Sequence, residues 1–330
     1  MIKFLILFSA VVTLFGALLP QLGYALAWGV ARLFGHRLPW WPWLWASLGL
    51  VVLWWGAYAY GYWWGRFRSE VNRVEFRHAE VPQGFDGYRI VQISDLHLNG
   101  WQGHAKELEA VVQRINDLEA DLICFTGDLV SMDESELDAS LSQALGRLRA
   151  RDGVVGVLGN HDYSPYLRGI TASDRDFLVD RLVGRLRNEL GWQVLMNENL
   201  TLYRGGDSIA VVGVENQSCG VHSVVRRGDL AKAQYGVEGL FRILLSHDPS
   251  HWRAEVLGHT DIPLTLSGHT HAMQMRLLGW SPAGFAYPEH DGRYDEQGQT
   301  LYVNIGLGGT LPMRIGATPE VTEITLRAER

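Results

Sequence analysis

The stretch Leu266-Ser267-Gly268-His269-Thr270-His271 ends an apolar run with two histidines one residue apart, directly after a glycine. A β-strand that ends at this glycine directs both imidazoles away from its carboxyl edge, where a loop can hold them around a metal ion. Such a pair also occurs by chance among polar loop residues. Its meaning therefore depends on whether carboxylates and further histidines follow other strands.

Polar side chains do follow four more predicted strands, at 88–93, 122–125, 154–158 and 241–245. In chain order these side chains are Asp95 and His97, Asp128, Asn160 and His161, and His247. Ligands in α/β folds gather at the carboxyl ends of strands. We therefore expect the five strand ends to converge on one site.

The remaining pattern predicts one α/β domain with two packed sheets and helices outside. Apolar residues recur at helical spacing over 105–119 and 137–148, and 173–190 and 227–235 also favour helix. Further strands are predicted at 71–76, 193–196, 200–203, 208–214, 301–304 and 321–326. Gly205-Gly206-Asp207 has the chemistry of a hairpin turn.

The first 68 residues predict a membrane anchor, and residues 69–330 a catalytic domain. The run 4–19 is apolar apart from Ser9 and Thr13, and Pro20 is expected to end it. The run 44–64 is a second candidate span, flanked by tryptophans and tyrosines like an interfacial aromatic belt. Two buried core helices are the alternative, but no polar face interrupts either run.

The orientation of this anchor depends on residues 22–34, which fit either an interfacial helix or a third span. With two spans, Lys3, Arg66, Arg68 and Arg73 lie on one side, and Arg32 and Arg37 on the other. This bias favours a multi-pass protein of the inner cell membrane with a cytoplasmic catalytic domain. Ala25-Leu26-Ala27 is also compatible with signal-peptidase cleavage, which would leave the second span in place.

Charge is distributed unevenly between these two parts. Residues 1–77 contain seven basic and two acidic residues, whereas the rest of the chain contains 22 basic and 34 acidic residues. The acidic balance argues against nucleic acid as a partner, but it permits a phosphate substrate if metal ions supply positive charge. Cys124 is predicted to be a buried thiol, and nothing in the sequence indicates a disulfide framework.

The ligand set itself favours two divalent transition ions. Two carboxylates, an amide oxygen and four imidazoles differ from the oxygen shells that calcium prefers. The set contains no cysteine, so a structural zinc site of the cysteine type is disfavoured.

As a set, these motifs resemble the calcineurin-like metallophosphoesterases. The matching motifs, over about residues 86–310, are Asp95-x-His97, Gly127-Asp128, Gly159-Asn160-His161-Asp162, His247 and Gly268-His269-x-His271. The segments 246–249 and 302–308 are similar to the branch of YkuE- and YaeI-type bacterial enzymes. The resemblance implies an αββα sandwich and two divalent metal ions, with Mn²⁺, Fe²⁺/Fe³⁺ and Zn²⁺ as candidates. There is no amino-terminal twin-arginine signal of the kind that some relatives carry.

The resemblance also implies a role for each residue. Asp95, His97 and His271 bind one ion, Asn160, His247 and His269 bind the other, and Asp128 bridges both. His161 lies beside the scissile phosphate, where it stabilises charge or protonates the leaving oxygen. Asp162 orients its neighbours without binding metal. A metal-bridging hydroxide then attacks phosphorus in line with the leaving group.

Other residues are weaker candidates for the site rim. His104, His222 and His251 are more typical of solvated surface histidines, and Arg226-Arg227 of surface charge at a helix entry. The segments 280–282 and 292–294, in the loop after the histidine pair, either shape a substrate pocket or cover the core.

Three functions compete at this point. The first is a membrane-anchored phosphohydrolase acting on a phosphoester or pyrophosphate, on a lipid-linked substrate such as those of related UDP-diacylglucosamine hydrolases. The second is a phosphodiesterase for soluble nucleotide-type diesters. The third is a membrane-tethered scaffold with a structural metal site, against which the intact His161 and Asp162 argue. No obligate protein partner is evident.

Overall fold

The computed structural model describes residues 2–220 and 224–329, with side chains from Ile6 onward. Its helices are α1 Ile2–Leu33, α2 Trp41–Trp63, α3 Ala105–Asn116, α4 Ala139–Leu145, α5 Ala172–Asn188 and α6 Leu230–Ala233. Its strands are β1 Glu70–His78, β2 Arg89–Ile93, β3 Leu122–Phe125, β4 Val154–Gly156, β5 Gln193–Val194, β6 Glu198–Arg204, β7 Asp207–Gly213, β8 Phe241–Leu245, β9 Leu264–Ser267, β10 Gly292–Glu296, β11 Gln299–Val303 and β12 Glu320–Ala328.

The strands form two mixed sheets packed face to face. The order is β1-β12-β2-β3-β4-β5 in the first sheet and β10-β11-β9-β8-β7-β6 in the second. Successive side chains of a strand point to opposite faces. Ile90 and Leu122 therefore join the core between the sheets, while Val91 and Ile123 join the core beneath α3, α4 and α5. The predicted αββα sandwich is confirmed.

The parallel strands explain where the site lies. In the first sheet β2, β3 and β4 run parallel, and in the second β7, β8 and β9 do the same. Their carboxyl ends gather at one edge of the sandwich. Backbone hydrogen bonds then join loops within each sheet, such as Asp95 N–H to Gly127 O at 2.8 Å and Gly268 N–H to His247 O at 2.9 Å.

The two N-terminal helices are long and apolar enough to cross a membrane, over Ile6–Leu33 and Trp41–Phe67. The prediction that Pro20 ends the first helix is wrong, because α1 continues through it. A proline removes one backbone donor but does not stop a helix whose other backbone bonds are intact. Residues 22–33 are therefore the second half of α1, and the described helices provide no separate third span there.

Polar groups join the two helices where they face each other. Gln21 Nε2 donates to Trp43 O at 3.0 Å and to Ser47 Oγ at 2.9 Å, while Trp40 Nε1 donates to Gln21 Oε1 at 2.7 Å. Buried polar groups in an apolar setting need such partners. The helices therefore pack as a hairpin.

Two more local expectations need correction. Residues 292–294, treated as part of a loop, belong to edge strand β10, which pairs antiparallel with β11. His251 is fully buried rather than solvated. Its ring contacts Ser246 Oγ at 2.8 Å and Glu255 Oε2 at 3.4 Å, so it supports the loop after β8 from inside.

Candidate metal centre

The eight predicted site residues lie in the loops after β2, β3, β4, β8 and β9, and all meet at one edge of the sandwich. The first cluster consists of Asp95, His97, Asp128 and His271, whose candidate ligand atoms lie within 4.8 Å of one another. His97 Nε2 is 3.5 Å from Asp128 Oδ2, and His271 Nε2 is 3.6 Å from Asp95 Oδ1.

A second cluster shares Asp128 with the first. It adds His247 and His269, again within 4.8 Å. His247 Nε2 lies 3.2 Å from Asp128 Oδ2 and 3.2 Å from His269 Nδ1. One carboxylate between two groups of ligands is the arrangement expected of a bridge between two ions.

Unpartnered atoms test whether this site fits metal ions. His97 Nε2, Asp128 Oδ2, Asn160 Oδ1 and His271 Nδ1 are buried and have no hydrogen-bond partner among the described residues. Leaving such atoms unpaired costs free energy, and buried polar groups are normally satisfied. Divalent ions would satisfy all four atoms, and the nitrogen and oxygen donors suit transition metals. The site therefore fits a dinuclear metal centre.

The backbone at these residues is held in an uncommon conformation. Left-handed φ values of 52°, 46°, 57°, 76° and 51° occur at Asp95, His97, Asp128, His269 and His271, respectively. Residues other than glycine rarely adopt this region, and such strain concentrates at functional sites.

Glycines let the loops approach each other closely enough to form the site. A Cβ on Gly159 would lie 2.2 Å from Asp128 Oδ1, and one on Gly268 would lie 2.3 Å from Asp95 Oδ2. In the segment 302–308, a Cβ on Gly308 would lie 1.8 Å from Leu96 O.

A surrounding layer of hydrogen bonds orients the imidazoles. His247 Nδ1 donates to Thr126 O at 2.7 Å, and His161 Nδ1 donates to Ser131 O at 2.8 Å. Since a carbonyl only accepts, both rings carry a proton on Nδ1, and Nε2 is the ring atom that faces the site. Such partners fix the tautomer and the ring orientation of metal-binding histidines.

Two buried carboxylates outside the ligand set organise these loops. Asp162 accepts hydrogen bonds from the N–H groups of Asp128, Val130 and Gly159 at 2.9, 3.0 and 2.9 Å. Its oxygens face the backbone rather than either cluster. Glu136 similarly accepts from the N–H groups of Asn99, Ser131 and Met132.

Burial and the crowded charges shift the acidities of the cluster. Burial lowers the pKa of His97 to about 3 and also lowers the pKa values of His269 and His271, which favours the neutral imidazole that binds metal. Burial opposes protonation of His247, but the Asp128 carboxylate raises its pKa to about 10. Burial raises the pKa of Asp95 to about 6, to which Asp128 also contributes. Cations would relieve this concentration of negative charge.

Three residues near the site escaped the sequence analysis. The Tyr166 ring lies 4.6 Å from that of His161, and Tyr287 Oη lies 2.8 Å from His269 Nε2. Arg314 is buried, and its guanidinium donates to Ile305 O at 2.7 Å and Ala317 O at 3.1 Å. No motif surrounds these residues, and only the fold brings them to the site.

The remaining sequence candidates lie elsewhere. The His104 ring lies 4.6 Å from the Phe67 ring at an angle of 40°, and His104 Nδ1 contacts Glu107 Oε1 at 3.5 Å. Arg227 Nη2 contacts Asp176 Oδ1 at 2.5 Å on the surface. His222 lies outside the described residues. Gly205 and Gly206 form the β6–β7 turn, as predicted, and Cys124 is a buried free thiol.

Comparison with known proteins places this geometry among phosphoesterases. Residues 88–273 match the family model described as calcineurin-like phosphoesterase. The uncharacterized metallophosphoesterase YkuE of Bacillus subtilis is 32% identical over 283 residues, which cover 83% of this chain and 91% of that protein.

Two further relatives have names that refer to a membrane or a lipid. The UDP-2,3-diacylglucosamine pyrophosphatase LpxG of Chlamydia trachomatis is 29% identical over 321 residues, covering 78% of this chain and 90% of that protein. A transmembrane protein with metallophosphoesterase domain from Danio rerio is 32% identical and covers 78% of this chain. The match spans 57% of that fish protein.

Proposed function

This chain belongs to the calcineurin-like phosphoesterase family and is a metal-dependent phosphoester hydrolase, and from that premise we propose that it is a membrane-anchored enzyme that cleaves the pyrophosphate of a lipid-linked substrate. The observation that carries the chemistry is the single Asp128 carboxylate shared by two ligand clusters. The observation that carries the substrate class is the pair of apolar helices joined to this site.

We assign the ligands as follows. Asp95, His97 and His271 would hold one ion, Asn160, His247 and His269 would hold the other, and Asp128 would contribute to both. Two divalent ions would supply acidity to a nucleophilic water near neutral pH and positive charge to offset the phosphoryl oxygens. The unpartnered Asn160 Oδ1 supports its inclusion.

His161 acts on the phosphoryl group rather than on the ions. Its Nδ1 is occupied by Ser131 O, and its backbone N–H donates to Asp128 Oδ1 at 2.8 Å. The ring is therefore held beside the clusters with Nε2 available to a substrate oxygen. In its imidazolium form, with a second proton on Nε2, it either donates a hydrogen bond to the phosphoryl group or protonates the leaving oxygen.

Tyr166 and Tyr287 line the approach to the centre. Tyr166 is 44% exposed and its ring is tilted by 42° against that of His161, so it offers an aromatic surface to an entering substrate. Burial raises the pKa of Tyr287. Its neutral phenol can therefore hold His269 in place. These rings suit a substrate that presents a flat group beside its phosphates.

A lipid-linked substrate is supported by two independent observations. The apolar hairpin of α1 and α2 keeps the domain at a bilayer, where tethering raises the encounter rate with a lipid. The similarity to LpxG extends over 78% of this chain, and that protein is named for hydrolysis of a diacylated UDP-sugar.

We place the anchor at residues 1–68 and the catalytic domain at 69–330, with the latter on the cytoplasmic face of the inner membrane. The two helices return the chain to its starting side, and more basic residues lie on that side than between the helices. The topology can be tested with a reporter that is active only outside the cytoplasm, fused after Arg330. A signal from this reporter would contradict the proposed topology.

The test is an activity assay of the full chain in detergent with Mn²⁺. UDP-2,3-diacylglucosamine should be cleaved to UMP and a lipid phosphate, with kcat/KM well above that for small nucleotide diesters. Asp128→Asn is the inactive control. Equal kcat/KM values for the lipid and the soluble diesters would favour the soluble-substrate phosphodiesterase. If metal-loaded protein hydrolysed neither the lipid nor the soluble diesters, the result would favour the scaffold function.

A further inference from the structure

An exposed apolar cluster follows the histidine pair, and we call it the apolar tip: Leu277, Leu278, Trp280 and Phe285. These side chains are 72%, 100%, 58% and 86% exposed, respectively. The rings of Trp280 and Phe285 meet edge to face at 5.9 Å, so they form one surface. Exposed apolar patches outside the membrane-spanning helices mark interaction surfaces.

Leu278, at the apex of the tip, is fully exposed and has an unfavourable backbone conformation. Leu277 and Trp280 exchange backbone hydrogen bonds of 2.8 and 3.0 Å around Leu278 and Gly279, whose φ values are 50° and 83°. A two-residue turn of this kind favours asparagine at the position of Leu278. A fully exposed leucine with positive φ is therefore unfavourable in water on two counts.

The base of the tip is fixed rather than flexible. Arg276 N–H donates to Ile315 O at 2.8 Å, and Ile315 N–H donates to Gln274 O at 2.9 Å. Gln274 Nε2 also donates to Leu311 O and Met313 O at 2.8 and 2.9 Å. The segment 311–315 therefore holds the tip in place.

The same segment receives the end of the second apolar helix. A Cβ on Gly61 would lie 2.4 Å from Arg314 O, and one on Gly65 would lie 2.8 Å from that atom. Arg314 N–H donates to Gly61 O at 3.3 Å. Arg314 adjoins Ile315, so the base of the tip lies roughly 10 Å from the end of α2, by ordinary backbone and strand spacings.

That end of α2 is where a spanning helix leaves the bilayer. Trp63 and Trp64 are 61% and 63% exposed there, as is typical of aromatic residues at the membrane interface. The base of the apolar tip therefore lies within roughly 10 Å of the membrane interface that these tryptophans mark.

The other end of the tip returns to the metal centre. Ser281 Oγ donates to Ala272 O at 2.6 Å, next to His271. A few residues later Tyr287 Oη contacts His269 Nε2 at 2.8 Å. The tip therefore connects the exit point of α2 with the two histidines of the opening motif.

We propose that the apolar tip inserts into the bilayer surface beside α2 and holds the mouth of the metal centre against the lipid headgroups. This second contact, separate from the helical hairpin, stops the domain from pivoting on its anchor. A phosphate attached to a lipid then reaches the site without the acyl chains leaving the membrane. The insertion rests on the geometry of the tip and on α2 spanning the bilayer, and this catalytic consequence rests on the proposed function.

Spin labelling of the full chain in vesicles tests the insertion without any substrate. With Cys219→Ser as background, a nitroxide is placed at Leu278→Cys, in vesicles of phosphatidylcholine and phosphatidylglycerol. The matched control is Tyr203→Cys, which is 81% exposed at the opposite edge of the sheets. The ratio of accessibility to oxygen over that to a water-soluble nickel chelate should be several-fold higher at 278 than at 203.

Equal ratios at the two positions would overturn the proposal. Burial at 278 that appeared only at high protein density, with dipolar broadening between labels, would also overturn it, because a second copy would then cover the tip. Success or failure here is independent of the hydrolytic reaction.

A kinetic measurement tests the consequence. Leu278→Asn with Phe285→Ser keeps a turn-compatible residue and alters only exposed positions. The KM for a lipid-linked pyrophosphate in vesicles should rise several-fold, while the KM for the same substrate in detergent micelles should not change. An equal rise in both would show that the tip shapes the substrate pocket instead.

Discussion

Asp162 Oδ2 accepts hydrogen bonds from the N–H of Asp128 and from the N–H of Gly159, each at 2.9 Å. Asp162 belongs to neither ligand cluster, but it fixes the backbone position of Asp128, which belongs to both. The same side chain reaches Val130 N–H through Oδ1 at 3.0 Å. The position of the shared ligand therefore depends on three hydrogen bonds to a single neighbour.

Asp162→Asn should weaken metal binding without removing a ligand. The amide presents an N–H₂ group where a carboxylate oxygen accepted a backbone N–H, so one of the three bonds becomes a repulsive contact. Loss of such an outer partner typically costs 10–100-fold in metal affinity or activity. Titration of the metal-free protein with Mn²⁺ measures this loss. Unchanged affinity and rate would contradict the orienting role.

His161→Gln should lower the rate but leave the ions in place. In the proposed function the ring offers Nε2 to the substrate, and His161 is not in either ligand cluster. Removing a general acid or an equivalent charge-stabilising group costs about 10²–10⁴-fold in kcat. Metal content by mass spectrometry should equal that of the wild type. A parallel loss of metal would make His161 a ligand instead.

Gly61→Ala should destabilise the junction between the helical hairpin and the catalytic domain. The added Cβ would meet Arg314 O at 2.4 Å, and overpacking of this kind costs about 1–3 kcal/mol. Gly56→Ala in the same helix is the matched control, because a Cβ there meets nothing within 4 Å. The apparent Tm in detergent, followed by tryptophan fluorescence, should fall for Gly61→Ala alone. Equal Tm values would mean that the two parts do not pack as described.

Removal of metal should lower the stability of the whole catalytic domain. Asp95 and Asp128 are fully buried carboxylates of the same ligand cluster. Ions that bind only the folded state stabilise it by mass action. At a free concentration 100 times Kd, the gain is about 2.7 kcal/mol. The Tm should fall with EDTA and recover with excess Mn²⁺. A Tm that did not respond to chelation would be incompatible with the paired ligand clusters.

The strands and the site at their ends could be predicted from the sequence, because buried strands and metal ligands both have local sequence patterns. The run Leu122-Ile123-Cys124-Phe125 is apolar throughout, as expected of a strand buried on both faces, and Asp128 follows three residues after its end. Repetition of that pattern at several strand ends predicted the convergence. The resemblance added the division of ligands between two ions, which spacing alone leaves open.

The misses have a common physical origin in tertiary context. Strand β10 alternates without a buried apolar face, and only its pairing with β11 makes it a strand. His251 is expected at the surface, but in the fold it is buried, and Ser246 and Glu255 contact its two ring nitrogens. Tyr287 comes 18 residues after His269 and reaches it only because the loop through the apolar tip folds back.

The most direct test of the central claim is the metal content of purified wild-type protein and Asp128→Asn after reconstitution with Mn²⁺. Asp128 is common to both clusters, so we predict two ions per wild-type chain and a loss of occupancy at both positions in the variant, with hydrolysis abolished. Asp176→Asn, which alters an exposed carboxylate paired with Arg227 on the surface, is the control and should retain both ions. One ion in the wild type, or full occupancy in Asp128→Asn, would contradict the shared-ligand centre.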